Sequence, residues 1–175
     1  MLKIKEGDLD KVGLLYQRYS RRLFGFFYRM TNDGSQSEDL VQNVFIRLIK
    51  YRKTYWEDGH FETWIFQLAR NVHHDAYRKT KRYKWQEDMT DWEAKLTEED
   101  NVESSTIKGE EQSLLIRALN TLSPEKREII ELTKFQKLKY EEVANLLGKT
   151  EGALKVQIHR ILKELRLKYF ELEAE

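Results

Sequence analysis

The stretch LKYEEVANLLGKTEGALKVQIHRILKELR, residues 138–166, decides how the C-terminal part of the chain folds. Its first half is apolar on one side at helical spacing, and Gly148 then permits a tight turn. Thr150, two residues later, can cap a second helix. The residues that this second helix is expected to bury are Leu154, Ile158, Ile161, Leu162 and Leu165. Two helices joined in this way predict a helix-turn-helix.

The start of the second helix is the part that such a motif places against DNA. Its N-terminal residues point into the major groove, while the first helix braces the phosphate backbone. The residues left for the outside at and after the turn are Thr150, Glu151, Gly152, Lys155, Gln157, His159 and Arg160. The same pattern also fits other helical hairpins, so a nucleic-acid role needs support from elsewhere in the chain.

A second polar face occurs upstream, in FETWIFQLARNVHHDAYRKTKR, residues 61–82. One stripe of this predicted helix is apolar and is expected to be core. The neighbouring face carries Trp64, Gln67, Asn71, His74 and Arg78, and it is extended by Lys79, Lys81 and Arg82. An aromatic ring, amides and cations in one row are typical of a surface that stacks on unpaired bases and holds the sugar–phosphate chain.

The cluster His73, His74 and Asp75 in the same segment raises the alternative of a metal-dependent hydrolase. Adjacent residues on a helix diverge by about 100°, so these side chains do not easily share one ion. Further ligands would have to come from other helices, and no acidic pattern near His60 or His159 supplies them. We therefore expect neither a metal nor a catalytic residue here.

A third segment, EDLVQNVFIRLIKYR at residues 38–52, predicts an amphipathic helix. Its apolar positions are Leu40, Val41, Val44, Phe45, Leu48 and Ile49. Its polar side includes Asp39, Gln42, Asn43 and Arg47. No alternating pattern of a β-strand persists anywhere, and the only proline is Pro124, so an all-α fold is expected.

The charges divide the chain into three parts. Residues 1–85 carry a net charge of +7, residues 86–111 carry −8 and residues 112–175 carry +2, although the whole chain is only +1. Helical periodicity fades in the acidic part, which is typical of a flexible tether. The prediction is an N-terminal helical domain (1–85), an acidic linker (86–111) and a C-terminal helix-turn-helix domain (112–175). Basic segments favour a polyanionic partner.

Composition narrows the classes of protein further. The chain has no cysteine, which excludes disulfides, a thiol nucleophile and cysteine-type zinc sites. No stretch of about 18 apolar residues and no signal-peptide core is present, so we expect no membrane insertion and a cytoplasmic location. Nothing in the sequence indicates a cofactor.

The three quoted motifs, taken in their order along the chain as residues 38–52, 61–82 and 138–166, resemble successive segments of an extracytoplasmic-function (ECF) sigma factor of bacterial RNA polymerase. The resemblance covers nearly the whole chain apart from the linker. It implies a promoter-specificity subunit without enzymatic activity, whose partners are core RNA polymerase and promoter DNA. Anti-sigma factors are common in the family, and one could also bind this chain.

The resemblance implies a role for each polar face. Asp39, Gln42, Asn43 and Arg47 would dock on the clamp of the β′ subunit. The helix from Phe61 would bind and melt the minus-ten element, with Asn71 at the position of the pocket for a flipped-out base and Trp64 the aromatic near it. The turn before that helix, Trp56 to His60, would help to shape the pocket. The helix-turn-helix would read the minus-thirty-five element, and the linker would run towards the RNA exit path.

The sequence departs from the common family pattern in three places. Asn43 stands where a glutamate is frequent, Lys139 where a serine often caps the first helix of the motif, and Val156-Gln157 where a Ser-Arg pair is usual. Three alternatives stay open at this point. They are a helix-turn-helix regulator acting without polymerase, a protein that binds polymerase but not DNA, and the metal-dependent hydrolase.

Overall fold

The computed structural model describes residues 1–56, 60–87 and 107–174, and side chains throughout these ranges except at 83–87 and 107–112. Regular structure in these ranges is helical, as predicted: α1 (Leu2–Glu6), α2 (Val12–Thr31), α3 (Gly34–Tyr51), α4 (Phe61–Glu87), α5 (Ile107–Asn120), α6 (Pro124–Ile130), α7 (Tyr140–Leu147) and α8 (Glu151–Glu173). Single 3-10 turns lie at Leu9–Lys11 and Arg52–Thr54, and α6 continues as a wider π turn over Glu131–Phe135. Most of the predicted linker, and the middle of the turn before α4, lie outside the described residues.

The N-terminal half packs α2, α3 and α4 around one core. The buried side chains that fill it include Leu23, Phe26, Phe27, Leu40, Val44, Leu48, Ile65, Phe66 and Val72. Helix α3 begins four residues before the predicted start because Asp33 caps it, with Oδ1 accepting a hydrogen bond from Gln36 N at 2.8 Å. Residues 34–37, which precede the predicted segment, therefore form the first turn of α3.

The C-terminal half contains the predicted helix-turn-helix. Gly148 ends α7 in the left-handed region at φ 64°, and Thr150 Oγ1 caps α8 by accepting from Ala153 N at 3.2 Å. The expectation that α8 buries Leu162 is wrong, because this side chain is 37% exposed while Ile161 beside it is buried. Helix α5 starts at Ile107, so residues 107–111 are helical rather than part of a tether.

The two halves lie against each other. Buried residues of both belong to one continuous apolar cluster, and α2 and α4 contact α6, the π turn and α7. Polar bonds also cross this boundary, the most buried being the pair between Arg29 of α2 and Glu131 of the π turn. In the described part of the chain, no helix has the combined length and apolar character that crossing a membrane requires.

Candidate nucleic-acid interface

The polar row predicted on α4 forms one wall of a cavity of about 890 Å³. Trp64, Gln67, Asn71, His74 and Arg78 all line it. Gln67, Asn71 and Arg78 are exposed, whereas Trp64 and His74 are half-buried. The structure thus brings together the five residues that helical spacing put on one face. The predicted cations Lys79, Lys81 and Arg82 follow on the exposed end of α4, outside the cavity lining.

Trp64 is held in position by other aromatic rings. Its ring centroid lies 5.5 Å from that of Tyr55 in an edge-on arrangement and 6.1 Å from that of Phe61. Such packing fixes the indole on the core side and leaves part of it accessible to the cavity.

The side chains of the His-His-Asp cluster each have a different environment. His74 Nε2 lies 3.0 Å from Glu128 Oε1 of α6. Asp75 is bound by Arg47 at 2.7 Å and by Arg78, and hydrogen bonds from these two guanidinium groups lower the pKa of its carboxyl. Burial, with smaller contributions from His74 and Arg127, lowers the pKa of His73 to about 4. His73 is therefore neutral near pH 7.

These partners hold the three side chains of the cluster in separate contacts. Within residues 1–56, 60–87 and 107–174, no three histidine, aspartate or glutamate side chains come together as a metal-binding group. Asp75 instead joins α3 to α4 through Arg47. The divergence of adjacent helical side chains that spacing predicted is what separates the cluster.

The opposite wall of the cavity comes from α3 and from the C-terminal half. Arg47 and Tyr51 of α3 line it, as do Pro124, Glu125, Arg127 and Glu128 at the start of α6. Glu128 is nearly buried, and its Oε1 also accepts from Arg70 Nε at 3.0 Å. Sequence reasoning missed Arg70 and Glu128, because their proximity depends on packing between residues 58 positions apart.

The predicted polymerase-binding residues separate into two groups on α3. Asp39, Gln42 and Asn43 are exposed on one strip of the helix, and Asn43 Nδ2 donates to the Asp39 carbonyl at 3.0 Å. Ile46 continues this strip at i+7 from Asp39 and is 61% exposed. Arg47 does not belong to the strip, because its guanidinium turns towards α4 and binds Asp75.

The predicted major-groove residues are largely accessible. Thr150, Glu151, Gly152, Lys155, His159 and Arg160 are exposed at or after the turn. Lys155 Nζ pairs with Glu151 at 2.6 Å, and this hydrogen bond raises the lysine pKa. Gln157 is half-buried, and its Oε1 accepts from Lys149 Nζ at 3.0 Å. Gln157 is therefore the member of this set most engaged within the motif itself.

Known proteins share both halves of this arrangement. Residues 15–83 match the family model for sigma-70 region 2, and residues 112–165 match the model for sigma-70 region 4. The chain is 32% identical to the RNA polymerase sigma factor CarQ of Myxococcus xanthus, over 100% of this chain and 98% of that protein. It is 30% identical to the ECF RNA polymerase sigma factor SigX of Bacillus subtilis, over 93% of this chain and 84% of that protein.

The fold is also shared with a solved structure. The sigma factor RpoE from Bartonella quintana, in complex with the anti-sigma factor NepR, aligns with a TM-score of 0.70 at 22% identity. The alignment covers 89% of this chain and 94% of that chain. The two sigma-70 region models match the chain in sequence order, and one relative aligns with it over nearly its whole length. All of these matches therefore indicate the same family. The chain belongs to the sigma-70 family of RNA polymerase sigma factors, in its extracytoplasmic-function group, whose members bind core RNA polymerase and promoter DNA.

Proposed function

We propose that this sigma factor directs core RNA polymerase to its promoters by melting the minus-ten element on α4 and reading the minus-thirty-five element with the start of α8. The observation that carries the proposal is the cavity shared by Trp64, Gln67, Asn71, His74 and Arg78. It offers ring faces and amides to a base and cations to the phosphates on either side of it. The family relationship supports the sigma-factor role, and this cavity supports the assignment of the α4 face.

Strand opening on α4 follows from the chemistry of these side chains. Taking a base out of a duplex costs a few kcal/mol of stacking and pairing, which a fitted pocket can offset. The Asn71 amide can donate to and accept from a base edge, and the part of the Trp64 ring that is accessible to the cavity would supply a stacking surface. Arg78, Lys79, Lys81 and Arg82 would bind the phosphates that position the strand.

The helix-turn-helix is proposed to bind the upstream element as duplex DNA. Exposed Lys155, His159 and Arg160 lie on the N-terminal half of α8, which this motif places in the major groove. Gln157 is a weaker candidate for base contact because Lys149 already occupies its carbonyl oxygen. We assign to Gln157 a role in holding the turn.

The remaining surfaces are proposed to serve polymerase and regulation. The strip of Asp39, Gln42, Asn43 and Ile46 would contact the clamp of the β′ subunit, and the acidic residues 86–111 would follow the RNA exit path. The protein would act in the cytoplasm, where the polymerase works. The Bartonella quintana sigma factor is seen bound to an anti-sigma factor, and we propose that this chain also has such a partner.

In-vitro transcription tests the proposal directly. Core polymerase is incubated with a genomic DNA pool, with and without the chain, and the RNA 5′ ends are sequenced. We expect a small set of starts that require the chain and share elements near minus ten and minus thirty-five. Starts that do not depend on the chain would contradict the proposal. If the chain retains DNA but not core polymerase in pull-downs, a regulator that acts without polymerase would be favoured.

A further inference from the structure

Val156 is an exposed apolar residue at the centre of the outward face of α8. Its side chain is 52% exposed, whereas Leu154 and Ile158, two residues before and after it, are buried. Because a helix turns by about 100° per residue, each of these buried side chains lies roughly 160° from Val156 around the axis. Val156 therefore points almost directly away from the core. It is also one of the positions at which this helix departs from the common family pattern.

Gly152 lies on the same face of α8, one helix turn before Val156. It is exposed and helical, and a methyl group in place of its hydrogen would meet no atom of the described residues within 4 Å. Neither packing nor a left-handed backbone therefore requires glycine here, although glycine is less favourable in a helix than alanine. Valine, with its branched Cβ, is also less favourable than alanine in a helix. Two residues that the fold itself does not favour thus occupy consecutive turns of one exposed face.

The polar residues next to Val156 are engaged within the protein. Lys155 Nζ pairs with Glu151 Oε1 at 2.6 Å. On the other side, Gln157 Oε1 accepts a hydrogen bond from Lys149 Nζ at 3.0 Å. These bonds direct both polar side chains to partners on the motif itself. The centre of the face is left to a glycine and to the methyl groups of a valine, which form no hydrogen bonds.

The start of α8 is the part of the chain proposed to enter the major groove. In that groove the base pairs present hydrogen-bond donors and acceptors, and the one apolar group among the four standard bases is the C5 methyl of thymine. An apolar side chain leaves donors and acceptors unsatisfied, but it can bury its own methyl groups against that of thymine. A glycine one turn earlier removes the side chain that would otherwise hold the helix away from the bases.

We infer that Val156 reads a thymine of the minus-thirty-five element by contact with its C5 methyl group, and that Gly152 provides the close approach of α8 that this contact needs. The inference rests on the proposed function of the helix-turn-helix and deepens it by naming a specificity-determining residue. The element then contains a thymine that is recognised through its methyl group rather than through its hydrogen-bonding edge.

Replacement of thymine by deoxyuridine isolates the methyl group, because deoxyuridine pairs with adenine in the same way and lacks only the C5 methyl. Holoenzyme formed from core polymerase and the full-length chain is titrated with labelled fragments of a promoter found in the transcription experiment. Each fragment carries the replacement at one thymine of the minus-thirty-five element, on either strand. We expect one position at which the replacement lowers the affinity of the parent roughly fourfold, the size expected for one buried methyl group.

Val156→Ala should abolish the response at that position. Its affinity for the thymine fragment should fall, and deoxyuridine should then lower the affinity no further, as expected for two groups that act through one contact. Leu167→Ala is the matched control, because Leu167 is a similarly exposed apolar residue further along α8. This control should respond to deoxyuridine as the parent does. An equal response of the parent and Val156→Ala at every thymine would overturn the inference.

Gly152→Ala tests the close approach. The added methyl group should raise the free energy of unfolding in urea denaturation, because alanine favours a helix. It should nevertheless lower the affinity for the thymine fragment and remove the response to deoxyuridine, although Val156 is still present. Gly13→Ala is the matched control, since Gly13 is also the second residue of its helix, exposed and without neighbours within 4 Å among the described residues. Gly13→Ala should keep the parent's affinity and response; if Gly152→Ala keeps them too, the role of Gly152 is wrong.

The outcomes separate this inference from the proposed function. If scrambling the minus-thirty-five element weakens holoenzyme binding, but the parent and Val156→Ala respond equally to deoxyuridine, the methyl contact is wrong and the reading of the element stands. If scrambling the element leaves binding unchanged, the proposed reading by the helix-turn-helix fails, and the inference fails with it. A response to deoxyuridine that disappears only in Val156→Ala and Gly152→Ala supports the inference.

Discussion

The imidazole of His73 shows how packing can change the protonation and hydrogen bonding of a single residue. It is largely buried in the cavity between α4 and α6, and its Nδ1 finds no hydrogen-bond partner among the described residues. The sequence placed His73 and His74 side by side, but it could not show that α6 would cover one and offer a carboxylate to the other. That difference depends on contacts between residues more than 50 positions apart.

Removal of the His73 imidazole should change how stability depends on pH. The unfolded chain binds this proton near pH 6.5, whereas the folded chain does so only near 4. Unfolding therefore takes up a proton between these values, and the free energy of unfolding falls as pH decreases, by at most about 3 kcal/mol. We expect His73→Phe to be increasingly more stable than the parent, relative to pH 7.5, as pH falls from 6.5 to 4. Urea titrations at several pH values measure this, with His159→Gln as the exposed control.

A stability difference between His73→Phe and the parent that stays constant across this range would contradict the burial of His73. Glu131, whose pKa burial raises, works in the opposite direction, because its folded form binds a proton more readily than its unfolded form. Its contribution is common to both proteins. The difference between variant and parent therefore isolates the imidazole.

Asn71 is the residue whose loss should separate DNA opening from polymerase binding. It is exposed in the cavity, and alanine favours a helix more than asparagine does, so the fold should not suffer. We expect Asn71→Ala to reduce permanganate reactivity of the melted minus-ten element roughly tenfold, through loss of hydrogen bonds to a base. Thr80→Ala, an exposed position half a helical turn away in projection, should open promoters as the parent does. Equal reactivity of the two variants would sink the assignment of Asn71.

At the scale of secondary-structure elements, the sequence predicted those helix caps and turns that depend on neighbouring residues. The cap at Thr150 and the turn at Gly148 were predicted because each depends on residues within one helical turn. Helix α3 starts earlier than predicted because Asp33 caps it. Aspartate is also common in turns, so the sequence pattern alone favoured a turn at this position. The π turn at Glu131–Phe135 was missed, since it is stabilised by a partner on α2 rather than by a local signal.

The exposed strip on α3 can be tested with two neighbouring carboxylates. Asp39 lies on the strip with Gln42 and Asn43, whereas Glu38 is also exposed but lies about 100° away around the helix. We expect Asp39→Ala to lower retention of the chain by immobilised core polymerase, and Glu38→Ala to leave it unchanged. Circular dichroism confirms that both remain folded. A loss that is equal for the two variants would mean that the strip does not define the polymerase contact.

The two caps of the helix-turn-helix provide a test of its stability. Lys139 has the extended backbone of an N-cap but no side-chain bond, whereas Thr150 caps α8. A serine at 139 would also form a capping box with Glu142 three residues later. We expect Lys139→Ser to raise the free energy of unfolding by about 0.5–1 kcal/mol and Thr150→Ala to lower it by about 1 kcal/mol. Urea denaturation measures both, and Lys139→Ala separates the new cap from loss of the Lys139–His60 contact. No gain of Lys139→Ser over Lys139→Ala would contradict the capping argument.

At the scale of the whole molecule, charged residues that lie far apart in the sequence form ion pairs between the N-terminal and C-terminal halves. The N-terminal part was predicted to be basic and open to a polyanion, yet Arg29 and Arg70 meet Glu131 and Glu128 of the C-terminal half. The sequence showed two domains and their charges but not their contact, because the pairs join residues separated by 102 and 58 positions. The contact between the halves is therefore a feature that no single motif contains.

Breaking one member of the buried pair should open the molecule rather than unfold it. Arg29→Met leaves Glu131 buried without a cation, which in a fixed interior costs about 3–5 kcal/mol. Separation of the halves rehydrates Glu131, so the cost cannot exceed that of opening the interface. We expect small-angle X-ray scattering to show a larger radius of gyration for Arg29→Met, with unchanged helical circular dichroism. The double variant Arg29→Met/Glu131→Met replaces the ion pair with apolar contact and should be compact again. The prediction fails if the Arg29→Met protein is as compact as the parent or if the double variant stays expanded. Either result would mean that this ion pair does not hold the two halves together.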